Sequence, residues 1–113
     1  DLRVVAADAT FCMKEPALGL VPDLTGTKPL VEIVGYSRAL EICATARNVS
    51  AEEARELGLA TAVVPASELE ATTADLAAAI VANAAGAVRE TKALLTGAAE
   101  AELEDQRLRE RKA

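Results

Sequence analysis

The chain has 113 residues, the size of one domain, and is 51% hydrophobic but only 2% aromatic, so its apolar content is Ala, Leu and Val. Eighteen acidic against 12 basic residues give a net charge of −6, which argues against nucleic-acid binding because that needs clustered Lys and Arg. With no His, with Cys12 and Cys43 too far apart for the usual zinc spacings, and with no apolar run near the ~20 residues that span a bilayer, these residues offer neither imidazole chemistry nor a zinc site nor a membrane span.

Residues 2–6 read as a short buried strand, followed by a turn at 7–10 and a second extended piece over 10–13. Glu15-Pro16 breaks the pattern, and residues 19–27, with two Gly, one Pro and two Thr, form a loop. Leu30, Val31 and Val34 then recur at helical spacing over 28–34, with Pro29 in the first turn and Gly35 as the stop. Ser37 is a candidate cap for a second helix running to Arg47-Asn48.

Ser50 and Glu53 match a capping box, in which the Ser hydroxyl accepts from the N3 amide and the Glu reaches back to the Ser amide. That third helix stops at Gly58, and 59–64 read as extended up to Pro65. An Ala-rich helix is predicted over 66–85, interrupted by Gly86, then helices over 87–95 and 98–111. Strands first and helices afterwards is lopsided for a free-standing domain, and the chain opens directly on strand residues, so an upstream segment is expected. The composition also leads to the expectation of a soluble, cytoplasmic protein with both cysteines reduced.

The stretch from Lys14 to Thr27 places two carboxylates, Glu15 and Asp23, around a Gly/Pro loop. Loops carry catalytic groups on rigid scaffolds, and a carboxylate among apolar residues suits proton transfer near neutrality; Leu18, Leu20, Val21 and Leu24 would supply such surroundings. On the residues alone a second reading stands beside it: Glu15 as a solvated charge after a strand and Asp23 as a turn residue after Pro22.

Five stretches, in order, resemble the crotonase (enoyl-CoA hydratase/isomerase) superfamily across essentially the whole chain. Asp1-Leu2-Arg3-Val4-Val5-Ala6 resembles its C-D-[IL]-R-[IV]-A strand, with Ala9-Thr10-Phe11 matching A-x-F. Gly19-Leu20-Val21-Pro22-Asp23-Leu24-Thr25-Gly26-Thr27 resembles its G-[IL]-x-P-x-x-G-G-T loop. The segment from Val34-Gly35 through Thr45-Ala46-Arg47-Asn48-Val49-Ser50-Ala51-Glu52-Glu53-Ala54 resembles V-G-x-x-x-A…T-[GA]-[RE]-x-[IV]-[ST]-A-x-E-A. Gly58-Leu59-Ala60-Thr61-Ala62-Val63-Val64-Pro65 is similar to G-L-[VA]-x-x-V-V-P, and Ala87-Val88-Arg89-Glu90-Thr91-Lys92 to A-[VL]-x-x-x-K.

The resemblance implies an α/β fold: the C-terminal portion of the crotonase ββα spiral, with residues 1–35 ending the spiral core and carrying the active-site loop, and 36–113 forming a helical region for oligomerisation and pocket closure. It implies an acyl-CoA substrate, with coenzyme A as part of that substrate and no separate cofactor or metal. Two backbone amides of the family polarise the thioester carbonyl and lie upstream of Asp1, so this segment alone is expected to be inactive. Glu15 falls on the glutamate that handles the proton at the substrate's α-carbon, and Asp23 on a position that is Gly in most hydratases and acidic in several double-bond isomerases.

Leu18, Leu20, Val21, Pro22 and Leu24 are the implied substrate-binding residues. Hydration needs room for an ordered water where Asp23 now stands, whereas isomerisation needs a base and an acid, which favours isomerase over hydratase. Thr25 departs from the double glycine, and Lys14 from the hydratase residue at its position. A homo-trimer or homo-hexamer is implied for the full-length protein. A non-catalytic acyl-CoA-binding or assembly module of the same fold is the alternative, and a helical interaction domain the third.

Overall fold

The computed structural model describes residues 1–98 and 102–112. It contains strands β1 (Val4–Ala6), β2 (Thr10–Phe11), β3 (Val49–Ser50) and β4 (Ala62–Val64). Its helices are α1 (Thr27–Val34), α2 (Tyr36–Thr45), α3 (Ala51–Leu57), α4 (Leu69–Val81), α5 (Ala85–Ala98) and α6 (Leu103–Lys112). Two 3-10 turns, Glu15–Leu18 and Ala66–Glu68, complete the described elements. The architecture is mixed α/β, and the chain forms two compact units, Asp1–Thr73 and Ala74–Ala113.

All four strands lie in the first unit. β1 pairs with β4 in parallel, Val4 opposite Ala62 and Ala6 opposite Val64, so the crossover between them carries α1, α2 and α3. β2 pairs with β3 antiparallel, Thr10 opposite Ser50 and Phe11 opposite Val49. β1 is half-buried rather than buried, since only one short partner strand covers it. The second extended piece pairs over two residues only, and β3, too short to show any periodicity, is the strand that sequence pattern does not reveal.

The core of this unit is the cluster Leu30, Val34, Ala39, Ile42, Val49, Ala54 and Ala60, with Phe11, Met13, Ile33 and Cys43 packed against it. α1 and α2 contribute it because their apolar residues recur on one face; they meet at Gly35, whose φ of 85° and ψ of 164° allow the abrupt join. Gly35 is also the residue that precedes α2. Ser37 therefore sits inside the helix rather than capping it, and no side chain caps that end.

Half of the capping box forms: Ser50 Oγ accepts from the Glu53 amide at 3.1 Å. The Glu53 carboxylate turns away from Ser50 because Arg47 takes both of its oxygens, at 2.8 and 2.7 Å. A guanidinium offers a bidentate, charge-assisted partner, which outweighs a single backbone amide. The same Arg47 holds both Glu41 oxygens through Nε, at 2.8 and 3.0 Å, and so ties the end of α2 to α3 across the left-handed turn at Ala46.

After the 3-10 turn at Ala66–Glu68, α4 stops at Val81, earlier than the predicted break. Asn83 ends it, its side-chain amide donating to Ala79 O at 3.2 Å in competition with the helical ladder, while Gly86 lies within α5. α5 runs past Leu95 to Ala98. The final helix is seen over Leu103–Lys112, and residues 99–101, in its predicted first turn, lie outside the described residues. No described residue of α4 or α5 is buried. Among the described residues no single helix is long and apolar enough to cross a membrane.

Candidate active site

β2 delivers the chain to Met13, and the 3-10 turn Glu15–Leu18 begins two residues later. Pro16 is the second residue of that turn, where its missing N–H costs nothing, and Gly19 closes it at φ 72° with its amide donating to Pro16 O. Leu20 N–H donates to Glu15 O at 3.0 Å, so the backbone of Glu15 is fixed at the base of the loop. The turn packs against α2.

Glu15 is half-buried, and its Oε2 is fully buried with no hydrogen-bond partner. A buried carboxylate oxygen without a donor is costly and needs a reason, because almost all buried polar atoms in folded chains are paired. On the α2 side stands Cys43, half-buried, whose thiol is pushed above its ordinary value first by burial and then by the negative charge of Glu15. That neighbour is invisible to sequence reading, since it depends on how α2 lies over the turn.

The rest of the loop faces outward. Asp23 is exposed, and Leu18, Leu20, Val21 and Leu24 are exposed too, Val21 at 77% and Leu24 at 86%, so they do not enclose Asp23 within this chain. Pro22 is half-buried. No hydrogen bond joins Glu15 to Asp23; the two carboxylates belong to opposite ends of one loop, Glu15 against α2 and Asp23 in solvent. Four exposed large aliphatic groups in one short segment form an apolar surface of the kind that marks binding sites.

The loop ends at Gly26, where an added Cβ would meet Met13 Cε at 3.1 Å. One position earlier, Thr25 stands where the family pattern has the first of its two glycines, and it adopts φ 67°. Beneath lies an apolar cavity of about 240 Å³ lined by Phe11, Met13, Pro29, Leu30, Ile33 and Leu59, among others, with Arg3 at its wall donating to Leu59 O at 3.4 Å. Among the described residues no group of three or more Cys, Asp or Glu side chains could hold a metal ion.

The comparisons with known proteins agree with one another. The family model described as enoyl-CoA hydratase/isomerase matches residues 1–113. The short-chain-enoyl-CoA hydratase of Clostridium acetobutylicum is 39% identical over 92 residues, 81% of this chain and 35% of that protein. The peroxisomal Delta(3,5)-Delta(2,4)-dienoyl-CoA isomerase of Arabidopsis thaliana is 39% identical over 105 residues, 92% of this chain and 38% of that protein. A solved structure from Thermobifida fusca YX in complex with acetoacetyl-CoA superposes with a TM-score of 0.95 at 52% identity, covering 99% of this chain and 44% of that one. The chain thus spans less than two-fifths of the length of these two curated relatives. The match of the family model over residues 1–113, together with the fold shared with that solved structure, shows that the chain belongs to the enoyl-CoA hydratase/isomerase family.

Proposed function

We propose that the protein carrying this chain moves protons on the enolate of a CoA thioester, as a double-bond isomerase or an enoyl-CoA hydratase, with Glu15 and Asp23 as the proton carriers. The observation that carries this reading is the buried, unpartnered Oε2 of Glu15: an acceptor kept free of donors is available to take a proton from substrate. A hydratase and an isomerase are both 39% identical to this chain over the matched residues, so identity does not choose between the reactions. Asp23 tips the choice toward isomerisation, because its exposed carboxylate stands where a hydratase needs space for water.

In the isomerase form one carboxylate takes the proton from the carbon flanking the double bond and the other returns a proton at the far end of the resulting dienolate. Leu18, Leu20, Val21, Pro22 and Leu24 supply the apolar surface for the acyl chain, and substrate would cover what is exposed in this chain. The acyl-CoA itself is the ligand, and the complex of the Thermobifida fusca relative with acetoacetyl-CoA supports that chemistry. We also infer a cytoplasmic homo-trimer or homo-hexamer, in which the 36–113 region, with its unburied α4 and α5, packs against neighbouring subunits.

Asp23→Asn, assayed in the protein carrying this chain with a 3-enoyl-CoA, is expected to lower the rate of the double-bond shift by at least about 100-fold. Unchanged turnover removes the role given to Asp23. Binding of acyl-CoA with no turnover and no proton exchange would instead support the non-catalytic module.

A further inference from the structure

We propose that Thr25 is a positioning residue that fixes how Asp23 is presented to substrate; this rests on the proton-transfer reading of Asp23 given above. Among the described residues, three of the five positive-φ positions are glycines, Gly19, Gly35 and Gly58. The other two are Ala46 at 51° and Thr25 at 67°. A side chain in this left-handed region crowds the following carbonyl, and a β-branched one crowds it most.

Ala46 has a packing reason to be there. The residue is only 6% exposed, its amide donates to Cys43 O at 3.2 Å, and its carbonyl accepts from Cys12 Sγ. Thr25 has none of these: its side chain is exposed, and its hydroxyl donates to the carbonyl of the preceding residue, Leu24, at 2.6 Å. The core gains nothing from Thr at 25.

What Thr25 does is local. A β-branched side chain in a narrow left-handed well, tied to the carbonyl before it, removes the backbone freedom that a glycine would leave. Strained backbone that no packing accounts for is a feature of functional sites. The stiffened turn lies between Asp23, two residues before, and Gly26, whose approach to Met13 anchors the other end of the loop. Met13 is itself two residues from Glu15. Thr25 therefore sets the placement of one proton carrier relative to the other, and a small misplacement of such a group lowers the rate without weakening binding.

In the protein carrying this chain, with a 3-enoyl-CoA as substrate, Thr25→Gly is expected to raise Tm by a few degrees while lowering kcat about tenfold and leaving KM within about twofold. Thr25→Ser, which keeps the hydroxyl, is expected to retain at least about half of the kcat. Wild-type kcat in Thr25→Gly overturns the proposal, and so does a loss of kcat accompanied by a fall in Tm, which a merely structural role would produce. Asp23→Asn in the same assay separates the two levels. If it retains full kcat, the reading of Asp23 fails and takes this proposal with it; if it is impaired while Thr25→Gly is not, only the proposal about Thr25 fails.

Discussion

Gly26 lies so close to Met13 that a Cβ at position 26 would stand 3.1 Å from Met13 Cε. This contact seats the end of the candidate active-site loop on the residue that leads into the Glu15 turn. Met13 Cε is the free end of a flexible side chain, so Gly26→Ala is expected to cost less than about 1 kcal/mol. Gly26→Val, whose extra carbons the methionine cannot clear, is expected to cost about 1–3 kcal/mol in urea unfolding. Adding Met13→Ala to the valine variant should recover part of that loss, and strict additivity would show that the contact does not hold the loop.

Arg47 predicts the acid limb of stability. Its hydrogen bonds hold the Glu53 carboxyl below the usual carboxylate value, as Arg55 does for Glu52. The folded state thus keeps these groups ionised to lower pH than the unfolded chain does. Their contribution is present above the unfolded value of about 4.5 and fades as pH falls through the lowered folded value. Arg47→Ala is expected to lower Tm by a few degrees at pH 7, with a difference from wild type that shrinks below about pH 4. A difference independent of pH would exclude the ion pairs as its source.

The two thiols should differ in reactivity. Cys12 is exposed, whereas Cys43 is half-buried and carries a raised thiol value, so at pH 8 less of it is thiolate and less is reachable. Alkylation of Cys12 is expected to be at least about tenfold faster, and Glu15→Gln, by removing a negative charge, should speed labelling of Cys43. Equal labelling rates, or no response to Glu15→Gln, would separate Cys43 from Glu15.

The exposed aliphatic loop residues should matter for substrate and not for folding. Leu24→Ala and Val21→Ala are expected to change stability by less than about 0.5 kcal/mol, because neither side chain is buried in this chain. Each should raise the KM for an acyl-CoA several-fold, with the effect growing with acyl-chain length. A large loss of stability with unchanged KM would assign them to packing.

What is legible in the sequence follows the range of the forces involved. α1 to α3, the Gly35 and Gly58 stops, the Ser50 cap and the Glu15/Asp23 loop rest on signals within a few residues, and they can be read directly. β3 cannot, because a two-residue strand exists only through its partner β2. The end of α4 is misplaced by sequence because Gly86 is a strong breaker by type, while Asn83 acts through a hydrogen bond that depends on the helix being there. At the candidate site, sequence proposes Glu15 but does not show its buried oxygen or its neighbour Cys43, since both come from the packing of α2 over the turn. The exposure of Leu18, Leu20, Val21 and Leu24 is likewise a property of the folded loop.

The most direct measurement follows deuterium entering the α-carbon of a CoA thioester in D2O, by NMR, for the protein carrying this chain and its Glu15→Gln variant. The wild type is predicted to exchange and Glu15→Gln to be slower by at least about 100-fold, with thioester affinity retained. Exchange at the wild-type rate in Glu15→Gln would contradict the role given to the buried carboxylate.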